Sequence, residues 1–170
     1  MKRQVKKMGS GRSGNYNGTS GSSQRYARTY KVCSDMKKWD ISRGIYTKKN
    51  GYTKNPTAVR LKDKIKGNYI GDKHTNMQVP YVITPKGDII IGKRNGNGKA
   101  GLPTPHPTLI GGKNPKVMCA GILEISGGKI KSIDVRSGHY KPNIQSLPKA
   151  KEIFEKLPKN LFHRKYEWSV

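Results

Sequence analysis

The stretch VMCAGILEI-SGG-KIKSIDV, residues 117–135, decides the fold, because two apolar runs flank a turn of serine and two glycines. Such a turn between two runs of this kind is typical of a β-hairpin. In the first run the odd positions from 117 to 125 are all apolar or small. Successive side chains of a strand point to opposite faces, so this alternation predicts a buried face and places Glu124 on the other face.

The elements on either side of this hairpin complete an α+β pattern. Upstream, residues 81–92 contain two short apolar runs around Pro85-Lys86-Gly87, which predicts a second hairpin. Downstream, residues 147–157 carry an apolar stripe at helical spacing, and Pro158 ends it. The sequence therefore predicts a twisted antiparallel sheet with a C-terminal helix, whose body spans about residues 81–165.

The charge of the chain favours a polyanionic partner, and RNA is the one we expect. The formal net charge is +25 over 170 residues, and lysines and arginines that approach phosphates release condensed counterions. Ten of the sixteen residues in the segment 9–24 are glycine or serine, a composition typical of flexible linkers. We therefore expect residues 1–24 to be a flexible basic arm that precedes a single α+β domain, residues 25–170.

Two of the four histidines are candidates for acid–base chemistry. His106 lies between two prolines, and His139 follows a glycine after the second hairpin. Because the ordinary pKa of histidine is the nearest to neutrality, such a pair could act as base and acid in the cleavage of an RNA strand. Glu124 is an alternative base, and Tyr140 is a further candidate catalytic residue. The competing interpretation is that both histidines only hold turns.

Basic and hydroxyl side chains near the histidines are candidate contacts to the substrate. Cations stabilise the negative charge that develops on a phosphate during its reaction. The candidate substrate-binding residues are Lys93, Arg94, Thr108, Lys113, Arg136, Ser137 and Lys141. The backbone N–H groups of Gly111-Gly112 are also expected to receive an anion.

Several other kinds of site need residue patterns that the sequence does not contain. Cys33 and Cys119 are too few for a disulfide framework and form no CxxC pair. Only ten acidic residues occur, without the tight cluster that two magnesium ions need. We therefore expect no metal and no cofactor. No apolar run is long enough for a transmembrane helix, and no signal peptide is recognisable, so no membrane partner is expected.

Four segments of the chain together resemble a C-terminal toxin domain of bacterial polymorphic toxins. The segments are HPTLIGG at 106–112, CAG at 119–121, GKI at 128–130 and SGHYKP at 137–142. The resemblance implies delivery by a secretion system, action in the cytoplasm of a target cell and a cognate immunity protein. The domain itself is expected to be a monomer.

The segment SGHY, residues 137–140, also resembles the Asp-His-Tyr near the end of small microbial ribonucleases of the barnase kind. In that family the histidine is the general acid, and the resemblance implies this role for His139. The chain departs from the family pattern because Pro142 interrupts the following strand and a helix follows.

The function expected from these observations is a toxin domain that acts as a metal-independent ribonuclease. One alternative is an ADP-ribosyltransferase toxin, which would bind NAD in the same cleft. The other alternative is a nucleic-acid-binding protein without catalysis, in which the basic arm carries the function and the histidines are structural.

Overall fold

The computed structural model of the protein describes residues 29–94 and 104–168. The predicted arm, residues 1–24, lies outside the described residues. The helices are α1 (Ser34–Ser42) and α2 (Leu147–Phe154). The strands are β1 (Tyr46–Thr47), β2 (Gly51–Tyr52), β3 (Val59–Arg60), β4 (Ile65–Lys66), β5 (Tyr69–Ile70), β6 (Met77–Ile83), β7 (Ile89–Ile91), β8 (Cys119–Ser126), β9 (Lys129–Ile133) and β10 (Phe162–Trp168).

Six of the strands form one mostly antiparallel sheet in the order β10-β9-β8-β6-β7-β3. The pairs β1–β2 and β4–β5 form two small additional sheets. Both predicted hairpins are present: β6 pairs with β7, and β8 pairs with β9, each pair antiparallel. The mixture of this sheet with two helices confirms the predicted α+β class.

The first face of the sheet is covered by α2 and is apolar. Odd positions of β8, including Cys119, Leu123 and Ile125, are buried in this layer, as the alternation predicted. From α2, Phe154 packs edge-on against the ring of Tyr81, with 5.1 Å between the ring centres. Burial of such side chains is the main source of stability for a sheet and helix of this size.

The second face of the sheet carries a separate apolar cluster under the N-terminal part of the described chain. Val82 and Ala120, which pair across β6 and β8, pack there with Tyr30, Leu109 and Tyr140. Tyr30 also bridges to Val117 through two backbone hydrogen bonds. The chain leading to α1 is therefore fixed to the second face, and this fixes the position of α1.

The tail after α2 returns to the sheet as a strand. The sequence predicted only that this tail docks on the body, whereas β10 adds to the sheet edge parallel to β9. Leu161, just before β10, is buried in the cluster of the first face. The sheet is therefore antiparallel except at this edge, and α2 connects β9 to its parallel neighbour. Within residues 29–94 and 104–168, no helix is sufficiently long and apolar to cross a membrane.

Candidate active site

His139 is presented by a tight turn that follows β9. The backbone N–H of Lys141 donates to the carbonyl of Ser137 at 2.7 Å, and the N–H of Tyr140 donates to the Ser137 hydroxyl at 3.3 Å. Ser137 and Tyr140 are buried, whereas His139 is partly exposed. The motif SGHY thus uses its serine and tyrosine as anchors and leaves the histidine at the surface of the turn.

The imidazole of His139 is paired with a buried carboxylate. Its Nε2 lies 2.9 Å from Oδ2 of Asp40, whose side chain is fully buried. The hydroxyl of Tyr52 donates to the same oxygen at 2.6 Å, and Nη2 of Arg43 donates to Oδ1 at 2.5 Å. Burial alone would raise the pKa of Asp40, but the hydrogen bonds from His139, Tyr52 and Arg43 outweigh burial and lower it. Asp40 is therefore a carboxylate near neutral pH.

The position of Asp40 depends on the start of α1. The backbone N–H of Cys33, the residue that precedes α1, donates to the carbonyl of His139 at 2.9 Å. About two turns later the helix brings Asp40 to the imidazole of the same histidine. Backbone and side chain of His139 are thus both held by one segment, which restricts the orientation of the ring.

Tyr52 joins this cluster to the glycines at 111 and 112. Its backbone exchanges two hydrogen bonds with Gly112, while its phenol binds Asp40. Burial, and then the hydrogen bond to Asp40, raise the pKa of Tyr52, so the phenol keeps its proton and donates a hydrogen bond to the carboxylate. A Cβ at Gly51 would lie 2.2 Å from the carbonyl carbon of Gly112, so glycine is required where the two segments meet.

His106 begins a short 3₁₀ turn, His106–Leu109, and is only 8% exposed. Its Nε2 lies 2.8 Å from the carbonyl oxygen of Gly121 in β8. Because a carbonyl only accepts, Nε2 carries the proton and Nδ1 carries the lone pair of the neutral ring. Burial lowers the pKa of His106 to about 4, the bond to Gly121 opposes this, and His139 adds to the lowering. His106 is therefore neutral near pH 7.

The two histidines line one open pocket of about 490 Å³. The size falls within the range of roughly 300–1,000 Å³ that is typical of small-molecule sites. The other lining residues come from α1 and from the segment before His106: Met36, Trp39, Arg43, Thr104 and Pro105. Two regions that are 33 positions apart in sequence therefore meet in one place, together with a helix from the N-terminal third of the chain.

The two remaining predicted catalytic residues do not line this pocket. Tyr140 is fully buried, and its hydroxyl donates to the carbonyl of Pro115. Glu124 accepts a hydrogen bond from Ser132 at 3.0 Å across β8 and β9. It lies three residues from Gly121 on the same strand, about 10 Å along the strand axis. Both residues therefore make contacts inside the protein and lie outside the pocket that the two histidines share.

The predicted hydroxyl and glycine contacts belong to the same framework. Thr108 is buried, and its hydroxyl donates to the carbonyl of Pro105 at 2.7 Å. The buried Ser137 closes the turn that presents His139. The N–H of Gly111 donates to Pro107, and that of Gly112 donates to Tyr52, so the expected anion contact is wrong. These backbone donors are used inside the protein.

The predicted cations are distributed around the pocket and do not line it. The backbones of Lys93 and Arg94 adjoin the pocket wall, because their carbonyl oxygens accept hydrogen bonds from Thr104. The Arg94 guanidinium donates to Gln78 at 3.2 Å. Lys113 and Arg136 are exposed elsewhere on the surface.

Lys141 differs from the other cations in its backbone. It is the one non-glycine among the described residues with a positive φ, 47°. Non-glycine residues adopt this conformation at an energetic cost, which the turn after His139 imposes here.

The structure adds four residues that sequence reasoning missed: Trp39, Asp40, Arg43 and Tyr52. Asp40 and His139 are 99 positions apart, so no local spacing connects them. One weak signal was present, since Asp40 is one of only three acidic residues among the first 66. Among the described residues, Arg43 is the one lysine or arginine that lines the pocket.

Within the described part of the chain, no three His, Cys, Asp or Glu side chains are grouped so that they could hold a metal ion. No family model, curated protein or solved structure matches the chain. The resemblance to polymorphic toxins and to barnase-like ribonucleases therefore stays a prediction.

Proposed function

We propose that the protein is a ribonuclease that cleaves RNA without a metal ion, with His106 as general base and His139 as general acid. The observation that carries this proposal is that both histidines line one pocket while a buried carboxylate, Asp40, binds the second. Two imidazoles in different environments suit opposite proton-transfer roles in one reaction.

His106 has the properties of the base. Its ring is neutral near pH 7 because its pKa is lowered to about 4, and Nε2 is occupied by Gly121. Nδ1 is the nitrogen with a free lone pair. In the proposed step it takes the proton of the ribose 2′-hydroxyl, and the 2′-oxygen then attacks the adjacent phosphorus.

His139 has the properties of the acid. The carboxylate of Asp40 lies 2.9 Å from its Nε2 and holds the ring in one orientation. The second nitrogen, Nδ1, is then the proton donor to the leaving 5′-oxygen. The P–O5′ bond breaks as the P–O2′ bond forms, which gives a 2′,3′-cyclic phosphate and a free 5′-hydroxyl. No oxidant, reductant or cofactor is needed.

Arg43 supplies positive charge at the pocket wall. Asp40 holds one end of its guanidinium group, and among the described residues its Nε is buried without a hydrogen-bond partner. A phosphate oxygen is a suitable acceptor for the remaining donors. The formal net charge of +25 raises the local concentration of RNA around the pocket.

The biological setting in the proposal follows from the sequence resemblance. The domain would act as a toxin delivered into the cytoplasm of a target cell, and an immunity protein would block it in the producing cell. RNA is the proposed substrate, and the working unit is a monomer.

The proposal is tested by incubating the purified protein with total RNA in EDTA, with and without labelled NAD. We expect cleavage in EDTA with 2′,3′-cyclic phosphate ends, and a loss of roughly 10²–10⁴-fold in the His139→Ala variant. His74→Ala is the matched control, because His74 is exposed in a loop outside the pocket.

The remaining outcomes of this experiment contradict the proposal. Label transfer from NAD without RNA cleavage would identify an ADP-ribosyltransferase. Retardation of RNA without cleavage would identify a binding protein. Full cleavage by the His139→Ala variant would refute the proposed role of that histidine.

A further inference from the structure

Two large apolar side chains of α1 are strongly exposed. Trp39 is 59% exposed and Ile41 is 42% exposed. Trp39 lines the pocket with the two histidines, and Ile41 does not. An exposed indole at the wall of a pocket that also contains Arg43 and two histidines is typical of a contact to a ligand.

The spacing along α1 places the indole in a continuous strip. Met36, Trp39 and Arg43 follow one another at three and four positions, so they share one face of the helix. All three line the pocket. The guanidinium carbon of Arg43 lies 5.5 Å from the centre of the Trp39 ring system, within reach of a cation–π contact. Since Asp40 also holds Arg43, the indole has a fixed neighbour on one side.

We infer that Trp39 is a specificity-determining residue that stacks on a purine base of the bound nucleotide while Arg43 and the histidines face its phosphate. The inference rests on the proposed function, because the base that stacks on Trp39 is the one next to the phosphate that is cleaved. Flat aromatic side chains beside cations bind single-stranded nucleic acid in this way. A purine offers more stacking area than a pyrimidine, so the site prefers purines.

The base that stacks could belong to RNA or to a free nucleotide such as NAD, and both sources share the purine ring and its phosphate. The test uses the Trp168→Phe protein, in which Trp39 is the one remaining tryptophan of the two in the chain. Its fluorescence is titrated with AMP, CMP, ribose 5-phosphate, NAD and an uncleavable 2′-O-methyl adenosine dinucleotide.

We expect AMP and the dinucleotide to quench Trp39 at concentrations at least about fivefold lower than CMP, and ribose 5-phosphate not to quench it. Tighter binding of the dinucleotide than of NAD assigns the site to RNA. The reverse order overturns that assignment and favours the free nucleotide. Equal quenching by AMP and ribose 5-phosphate would show that no base stacks on Trp39 and would overturn the inference.

The variants separate stacking from a general effect on the helix. Trp39→Ala is expected to lower kcat/KM for purine-containing RNA at least about fivefold, and Trp39→Phe to restore most of it. Ile41→Ala, on the same helix outside the pocket, is expected to stay within about twofold. Equal losses in Trp39→Ala and Ile41→Ala would contradict the inference. Quenching by purines in a protein that does not cleave RNA would refute the proposed function alone, since the titration requires no catalysis.

Discussion

The two faces of the sheet differ in what they bury. Against the first face, α2 packs an apolar layer that includes Phe154 and Tyr81. On the second face, the protein buries Asp40 and His106, which hydrogen-bond to the His139 ring and to the carbonyl of Gly121. Burying polar groups costs free energy unless every partner is in place. The first face therefore contributes apolar packing, whereas the second face combines apolar packing with the polar groups of the candidate site.

The largest effect on stability is expected from Phe154→Ala on the first face. Removal of a fully buried ring leaves a cavity and lowers the free energy of unfolding by about 3–5 kcal/mol. Urea unfolding measures this change, and RNA cleavage per folded molecule should stay near that of the wild type. Lys151→Ala, an exposed change on the same helix, is the control and should cost less than about 0.5 kcal/mol. A loss of activity in folded Phe154→Ala protein would contradict the claim that the first face affects stability and not catalysis.

Asp40→Asn is the matching change on the second face. It keeps the shape of the side chain but removes the charge that holds His139 and Arg43, so we expect a loss of about 2–3 kcal/mol in stability. Cleavage should fall at least about 10²-fold, because His139 loses the carboxylate that orients its ring. Asp35→Asn, exposed on the same helix, is the control for both measurements. Unchanged cleavage by folded Asp40→Asn protein would show that Asp40 is only structural.

Acid should destabilise the second face specifically. The pKa of His106 falls from an ordinary 6.5 to about 4 on folding, so between these values the unfolded chain binds more protons. Stability is therefore lost as pH falls through this window, by about 2 kcal/mol between about pH 7 and about pH 5. The lowered pKa of Asp40 acts in the same direction at still lower pH. Urea unfolding at both pH values measures how much stability is lost between them. The His106→Gln variant, which retains a donor for Gly121, should lose less stability over the same range.

The smallest effect is expected from Glu124→Ala. The carboxylate of Glu124 binds Ser132 within the sheet and does not line the pocket. We expect the initial rate of RNA cleavage to change less than about twofold and stability by no more than about 1 kcal/mol. A loss of activity comparable with that of His139→Ala would restore Glu124 as the base.

Much of the sheet could be predicted because its signals are local. Pro85-Lys86-Gly87 and Ser126-Gly127-Gly128 are turn sequences, and the alternation along β8 fixed which residues face the first layer. The parallel pairing of β10 with β9 could not be predicted in the same way. It depends on where α2 returns the chain, and no local pattern encodes that.

The candidate site was predictable only in part, because only some of its signals are local in the sequence. Turn residues around His106 and His139 marked both as candidates, yet Ser137 and Tyr140 from the same motif are buried anchors. The partner of His139 is Asp40, which comes from a helix near the other end of the described chain. A contact over such a separation depends on the tertiary fold and leaves no periodic signal in one sequence.

The measurement that tests the central claim most directly is a double-mutant cycle on the two histidines. Initial rates of RNA cleavage in EDTA are compared for the wild type, His106→Gln, His139→Ala and the double variant, each confirmed as folded. If base and acid act in one step in one pocket, each single change costs roughly 10²–10⁴-fold and the double variant is about as slow as the slower single variant. Losses that multiply in the double variant, or full activity in either single variant, would contradict the account.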